Sequence, residues 1–494
     1  MPNTEDRQPA AAEGPDDRTD LDPRDWTAFR DDAHRMLDDM IDHLETIRDR
    51  PVWSKMPTEI RRGFEHPLPR SGRELSAVHA EFMETILPYG VGNAHPRFMG
   101  WVHGGGTPVG MIGEMVAAGL NANLGGRDHA PIEVERQVVR WAAGLFGLPE
   151  TASGLLVTGA SIANFIAVLI ASRAALGSEV RKTGVSGHPL IAYASAAVHG
   201  CVPRALDMAG LGTGALRSIP VDAAGRINTA ALADAVARDR TAGLRPFLVV
   251  GSAGTVDTGA IDDLPALARF CRREGLWFHV DGAIGALGVL SPALRPRFAG
   301  LNEADSVAFD FHKWGQIPYD AGCIVVRDGA AQRCAFAADA AYLQREARGL
   351  AGGAPWPCDL GPDLSRGFRA LKVWYTIKVL GADRLGAMIA RTCDLARHLA
   401  RRIEREAELE AMAPVALNIV CFRYRFAADR DRQTAELAAD VQESGLAVLS
   451  TTRLGDETVL RCAIVNHRSR AGDMDALIDA VLALGRRRTA LLEA

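Results

Sequence analysis

Lysine is scarce in this chain: five lysines stand against fifty-one arginines in 494 residues. Where only positive charge is wanted, arginine supplies it. A lysine kept inside a motif therefore points to chemistry closed to a guanidinium, such as condensation of a primary amine with a carbonyl. The eight cysteines, at 201, 271, 323, 334, 358, 393, 421 and 462, include no CxxC pair. That excludes a zinc knuckle or a disulfide framework and leaves reduced, mostly buried thiols. No stretch approaches the roughly 20 apolar residues of a membrane span, and the opening MPNTEDRQPAAAEGPDDRTD lacks the apolar core of a signal peptide. The expected address is the cytoplasm. An excess of one charge is missing as well. A net charge of −5 offers no broad attraction to nucleic acid or to an anionic membrane, so neither is expected as a partner. Neither G-x-x-x-x-G-K-[ST] nor a G-x-G-x-x-G after a strand occurs, so GGG at 104–106 is no nucleotide loop.

What is present is a globular composition, 48% hydrophobic, long enough for about two to four domains. Residues 1–22, rich in Pro, Asp, Ala and Gly without periodicity, read as a disordered tail. From Asp25 to Arg50, apolar residues at Phe29, Met36, Leu37, Met40, Ile41, Leu44 and Ile47 follow helical spacing. The amphipathic helix they predict opens a helical segment over 23–100, and its apolar face needs a partner. Between Gly154 and Arg327 seven short apolar runs alternate with helical or Gly-rich stretches: 154–158, 189–193, 215–219, 246–250, 276–280, 305–309 and 322–326. Runs without polar alternation mark strands buried on both faces, hence an α/β domain over 101–385 with a seven-stranded, mainly parallel sheet. A long helix over 388–409, apolar runs at 415–426, 446–450 and 458–465, and a closing helix near 472–486 predict a smaller α+β domain over 386–494.

Two segments hold the chemistry. HVDGAIG (279–285) and FDFHKWG (309–315) each put ionisable residues where a predicted buried strand ends, and open α/β sheets bind ligands at the carboxyl ends of their strands. The spacing suggests that Asp281 and Lys313, 32 residues apart, face one cleft, the aspartate to stabilise a protonated ring nitrogen and the lysine to form an imine. Taken singly, Asp281 reads more readily as a helix cap and Lys313 as a surface charge; together, with His312 beside the lysine, the joint reading is favoured. GASIAN (159–164) follows a strand and opens an apolar helix, so its amides and the Ser161 hydroxyl suit either a phosphate or an ordinary cap.

The pair HVDGA…DFHKW resembles the HVDAA…NPHKW signature of the group II pyridoxal-phosphate decarboxylases, which include the aromatic-L-amino-acid, histidine and glutamate decarboxylases of fold type I. HPRFMGW (95–101), VTGASIANF (157–165) and LSRGFRALKVW (364–374) extend the likeness over nearly the whole chain. The resemblance implies pyridoxal 5′-phosphate held by Lys313, with Asp281 at its ring nitrogen and His199 stacked on the ring. It places Ser161 and Ile162 at the phosphate, and Thr255 (after Gly254), His312 and Asp310 near the cofactor. Asp310 departs from the family's asparagine, and an aspartate there either avoids the phosphate dianion or carries a proton. Tyr342, 29 residues after Lys313 in a Gly- and Pro-rich stretch, matches the tyrosine that protonates the α-carbon. Relatives that convert amino acids to aldehydes carry phenylalanine there.

The implied reaction is decarboxylation of an L-amino acid to a primary amine. The alternatives are an aldehyde synthase and a non-catalytic member of the fold. The resemblance also implies a homodimer with the active site at the subunit interface. For the substrate, Trp101, Gly104, Asn123, Arg127 and Ser365 fall at pocket positions. Gly104 replaces a threonine, and Asn123, with Gly125, replaces apolar residues contributed by the partner. Arg127 would suit a distal carboxylate or simply brace its loop, whereas Ser365 matches relatives that prefer phenolic substrates.

Overall fold

The computed structural model describes residues 20–337 and 345–493. Residues 1–19, most of the tail expected to be disordered, and residues 338–344, which include Tyr342, lie outside the described residues. All seven apolar runs form strands: β1 (Ser153–Val157), β2 (Leu190–Ser195), β3 (Leu216–Ile219), β4 (Arg245–Ser252), β5 (Trp277–Asp281), β6 (Ser306–Asp310) and β7 (Gly322–Val326). They make one sheet in the order β1-β7-β6-β5-β4-β2-β3. β7 runs antiparallel to both neighbours, and the other pairings are parallel.

Strands β2, β6 and β7 are buried at every position because helices cover both faces of the sheet. The helix Ala160–Leu176 is apolar all round and packs across the sheet centre. Parallel pairing brings the carboxyl ends of β4, β5 and β6 to one edge, with Ser252 opposite Asp281 and Asp281 opposite Ala308. Both aspartates singled out from the sequence are last residues of their strands.

A second, antiparallel sheet follows, in the order β10-β11-β9-β8, from β8 (Leu409–Ala411), β9 (Ile419–Tyr424), β10 (Ser450–Leu454) and β11 (Glu457–Ala463). The helices Ala382–Glu404, Arg430–Glu443 and Ala471–Glu493 pack on it around a separate apolar cluster. The run at 446–450 is not the strand its composition predicts. Val448 instead exchanges backbone hydrogen bonds with Arg97 and Met99, a single bridge to the N-terminal segment, and the strand starts at Ser450. Burial of Ala447, Val448 and Leu449 accounts for the apolar run without a ladder.

The N-terminal amphipathic helix spans Trp26–Glu45, capped by the Asp25 carboxylate. None of its residues is buried, and Trp26, Phe29 and Ile41 remain exposed. Among the described residues no helix is long and apolar enough to cross a membrane.

Candidate active site

The strand ends open on a cavity of about 520 Å³ whose lining includes Lys313, Asp310, Asp281, His199, Ser161 and Thr255. The second sheet closes it from the other side with Ser450, Thr451, Thr452 and Arg461. Arg461 interrupts the apolar strand β11, and this is the one sequence signal that could have singled it out. It is 3% exposed and donates to the carbonyls of Val256 and Trp101, so it ties together the walls, and among the described residues it forms no ion pair.

Lys313 follows β6, and its Nζ lies 2.9 Å from Asp310 Oδ2. Burial works to lower the lysine, but the Asp310 charge and hydrogen bond, with Asp281 behind them, override it and raise the ammonium above the usual lysine range. The other Asp310 oxygen, Oδ1, accepts the Ala160 N–H at 2.7 Å. Asp310 thus caps the Ala160–Leu176 helix and pairs with the lysine at once. The His312 ring lies over Tyr319, centroids 4.3 Å apart, and its Nδ1 accepts the Ala321 N–H.

Asp281 holds its carboxylate with Oδ1 accepting the Ala283 N–H at 3.1 Å and Oδ2 accepting from Asn164 Nδ2 at 3.3 Å. His199 stands at the exposed rim, its Nδ1 accepting the Cys201 N–H at 3.1 Å. Burial lowers its pKa, opposed by the Asp281 charge. Cys201 also lines the cavity, and burial, then the Asp281 charge, pushes its thiol up to about 12.

Other expected residues sit differently. The Thr255 hydroxyl accepts the Ala260 N–H at 3.0 Å and meets Thr258, so it serves its own turn while lining the cavity. Ile162 does not line the cavity. Its amide donates to the Gly159 carbonyl, and its partly buried side chain packs against the cluster that its helix forms on the face of β1, β6 and β7. Gly104 lies behind the lysine, where a Cβ would stand 2.2 Å from the His312 carbonyl oxygen and 2.6 Å from that of Lys313. The threonine of relatives therefore has no room in this backbone.

Trp101 lines the cavity, whereas Asn123, Arg127 and Ser365 do not. Asn123 Oδ1 accepts the Gly125 and Arg366 amides, Arg127 lies over the Trp356 ring at 4.7 Å, and Ser365 is exposed. Two residues not singled out from the sequence join Trp101. Tyr319 lines the cavity, and burial raises its hydroxyl to about 12. His103 packs against both Phe98 and Trp101, whose rings also meet each other, and its buried Nδ1 has no partner among the described residues. Neither stands in a motif that would mark it, because the backbone fold alone brings both to the lysine.

The donor set fits pyridoxal phosphate: a buried-end amine, a strand-end carboxylate, an imidazole, and a helix N-terminus with Ser161 for an anion. Residues 57–425 match the model of the pyridoxal-dependent decarboxylase conserved domain. An aromatic-L-amino-acid decarboxylase of Bacillus atrophaeus is 30% identical over 462 residues, covering 92% of this chain and 94% of the relative. A phenylacetaldehyde synthase of Arabidopsis thaliana is 29% identical over 466 residues, 90% and 93% of the two chains. The crystal structure of Oryza sativa TDC with PLP and tryptamine superposes with a TM-score of 0.87 at 23% identity, covering 95% of this chain and all of that one, a likeness of fold. With Lys313 and Asp281 converging on one cavity inside the matched region, the chain belongs to the pyridoxal-dependent decarboxylase family, and its reaction class is amino-acid decarboxylation with pyridoxal 5′-phosphate.

Proposed function

We propose that this protein converts an L-amino acid to the corresponding primary amine and carbon dioxide, with Lys313 as the cofactor anchor. The observation that carries the assignment is Lys313 Nζ facing a cavity that Asp281 also enters, with Asp310 2.9 Å from the amine. When bound, pyridoxal phosphate supplies a ring that takes up the electron pair released as carbon dioxide leaves. Asp281 holds a proton at the ring nitrogen, and His199 offers its imidazole to the ring face. The Ser161 hydroxyl and the free amides of the Ala160–Leu176 helix receive the phosphate. Asp310 already takes the Ala160 amide and neutralises Lys313, so the phosphate would be left with Ser161 and the remaining amides. Tyr342 returns a proton to the substrate α-carbon.

We further infer a homodimer with the active site at the subunit interface and a cytoplasmic location. The exposed apolar face of the helix Trp26–Glu45 supports the dimer, as do pocket positions Asn123, Arg127 and Ser365 lying outside this chain's cavity. Eight free cysteines support a reducing compartment.

The test is carbon dioxide release from each of the twenty amino acids, with Lys313→Ala as control. Release by the wild type alone supports the assignment, and no release from any refutes it. Tyr342→Phe should abolish or strongly slow amine formation; amine formed at the wild-type rate would remove Tyr342 from its role. Hydrogen peroxide formed in step with carbon dioxide would instead mark an aldehyde synthase.

A further inference from the structure

His279 and Asp281 are two residues apart on β5 and so share the sheet face under the helix Ala160–Leu176. His279 pairs across strands with Ser306, the first residue of β6. Its Nδ1 lies 2.8 Å from Ser306 Oγ and 3.1 Å from the Ser306 carbonyl oxygen, and its Nε2 lies 2.7 Å from Asn164 Oδ1. Asn164 Nδ2 in turn reaches both Asp281 Oδ2 and Cys201 Sγ at 3.3 Å. At the outer end, Trp277 Nε1 donates to Ser306 Oγ at 2.9 Å. Asn164, His279 and Ser306 are at most 1% exposed, so they depend on one another for hydrogen bonds.

The contact between Asn164 and the Asp281 carboxylate sets the proton positions along the chain. With the Asn164 amide reversed, its oxygen would face a carboxylate oxygen, two acceptors with nothing between them. The nitrogen must therefore point at Asp281. That leaves Asn164 Oδ1 for His279, whose Nε2 must carry the hydrogen. Nδ1 is then a bare acceptor and takes the Ser306 hydroxyl proton, while Ser306 Oγ accepts from Trp277. Burial drops the His279 pKa to about 3 against the opposing Ser306 carbonyl, which keeps the ring neutral. Every bond is polarised in one direction, and the last one donates to Asp281.

We propose that Asn164, oriented by His279 and Ser306, is a positioning residue that fixes the direction in which Asp281 presents its carboxylate to the cofactor ring. The proposal rests on the decarboxylase reading above. Without Asn164, only the Ala283 amide at 3.1 Å and the Cys201 thiol at 3.9 Å remain on that carboxylate.

The test measures two quantities: the dissociation constant of pyridoxal phosphate from cofactor-free protein, by quenching of tryptophan fluorescence, and kcat and KM of the reconstituted enzyme. Asn164→Asp keeps the size but cannot donate, and Asn164→Leu keeps only the volume. In both, the dissociation constant should rise and kcat should fall, each about tenfold or more, as for a lost hydrogen bond to a charged group. KM for the amino acid should stay near its wild-type value. His279→Gln, whose amide can donate to Asn164 and accept from Ser306, should restore most of both quantities, and His279→Leu should not. Folded Asn164 variants with wild-type cofactor affinity and kcat would overturn the proposal. So would equal losses in His279→Gln and His279→Leu, which would make the cluster packing alone. If the Asn164 variants do not fold, Ser306→Ala carries the test, with a smaller loss in the same direction expected and no change overturning the proposal. Wild-type protein that takes up no pyridoxal phosphate would refute the decarboxylase reading itself, a separate failure.

Discussion

In Asp310→Asn the side chain keeps its size and its acceptor for the Ala160 N–H, but Lys313 loses the carboxylate 2.9 Å away. Coulomb's law at that distance, with an effective dielectric of about 20, gives roughly 6 kcal/mol for the pair. Asp281 remains nearby, and the lysine side chain is 21% exposed, so solvent screens part of this. A quarter of the figure, about 1.4 kcal/mol, corresponds to a tenfold change in the fraction of free amine. The sign follows from the opposing influences on Lys313: burial pushes the ammonium down, and the Asp310 charge and hydrogen bond push it up. Removing Asp310 leaves burial in command, so the variant amine becomes more reactive at neutral pH. Competitive labelling of cofactor-free protein with trace acetic anhydride, read at Lys313 by mass spectrometry, measures this directly. Lys55 and Lys182, with side chains 78% and 77% exposed, serve as rate references. The wild-type labelling profile should turn on at the alkaline side of an ordinary lysine, and the variant should label about tenfold faster at neutral pH. Superimposable profiles would refute the claim that Asp310 sets the reactivity of Lys313.

Gly104→Thr forces a Cβ against the His312 and Lys313 carbonyls, and overpacking of this kind costs about 1–3 kcal/mol. Both the urea midpoint and cofactor retention should fall. The buried pair Arg366–Glu135, at 2.5 Å, also holds the Leu124 and Leu156 carbonyls. Arg366→Ala should cost about 3–5 kcal/mol in urea unfolding, and the double variant Arg366→Met with Glu135→Leu should recover much of it. Arg127→Ala removes a cation–π contact with Trp356, a loss of about 0.5–1 kcal/mol, and should leave turnover unchanged. A rise of about tenfold or more in KM for aspartate or glutamate, equivalent to 1.4 kcal/mol, would instead place Arg127 in the substrate site.

The seven strands of the large sheet were legible because a strand buried on both faces must be apolar throughout. The same signal misled at 446–450, where Val448 is buried by a bridge to the N-terminal segment and not by a ladder. Lys313 and Asp281 were legible because strand ends, an arginine-rich background and a fixed spacing coincide. Asn164 was not, since an amide in the first turns of an apolar helix carries no mark of what lies opposite until β5 and β6 are paired. His103 and Tyr319 were hidden for a related reason: 216 residues of chain separate them, and only the fold brings their rings to 5.9 Å. Asn123, Arg127 and Ser365 were singled out by likeness to relatives alone; in this chain Asn123 holds backbone amides, Arg127 lies over Trp356 and Ser365 is exposed, so none of the three lines the cavity.

Arg461 reaches from the second sheet to the Val256 carbonyl, on the opposite wall of the same cavity, and to the Trp101 carbonyl on its own side. Occupancy of the cavity and the joining of the two sheets are therefore thermodynamically linked: a ligand that touches both walls is bound only while they are together. Loaded protein should then melt in one cooperative transition, and stripped protein should show the four-stranded sheet melting apart from the seven-stranded one.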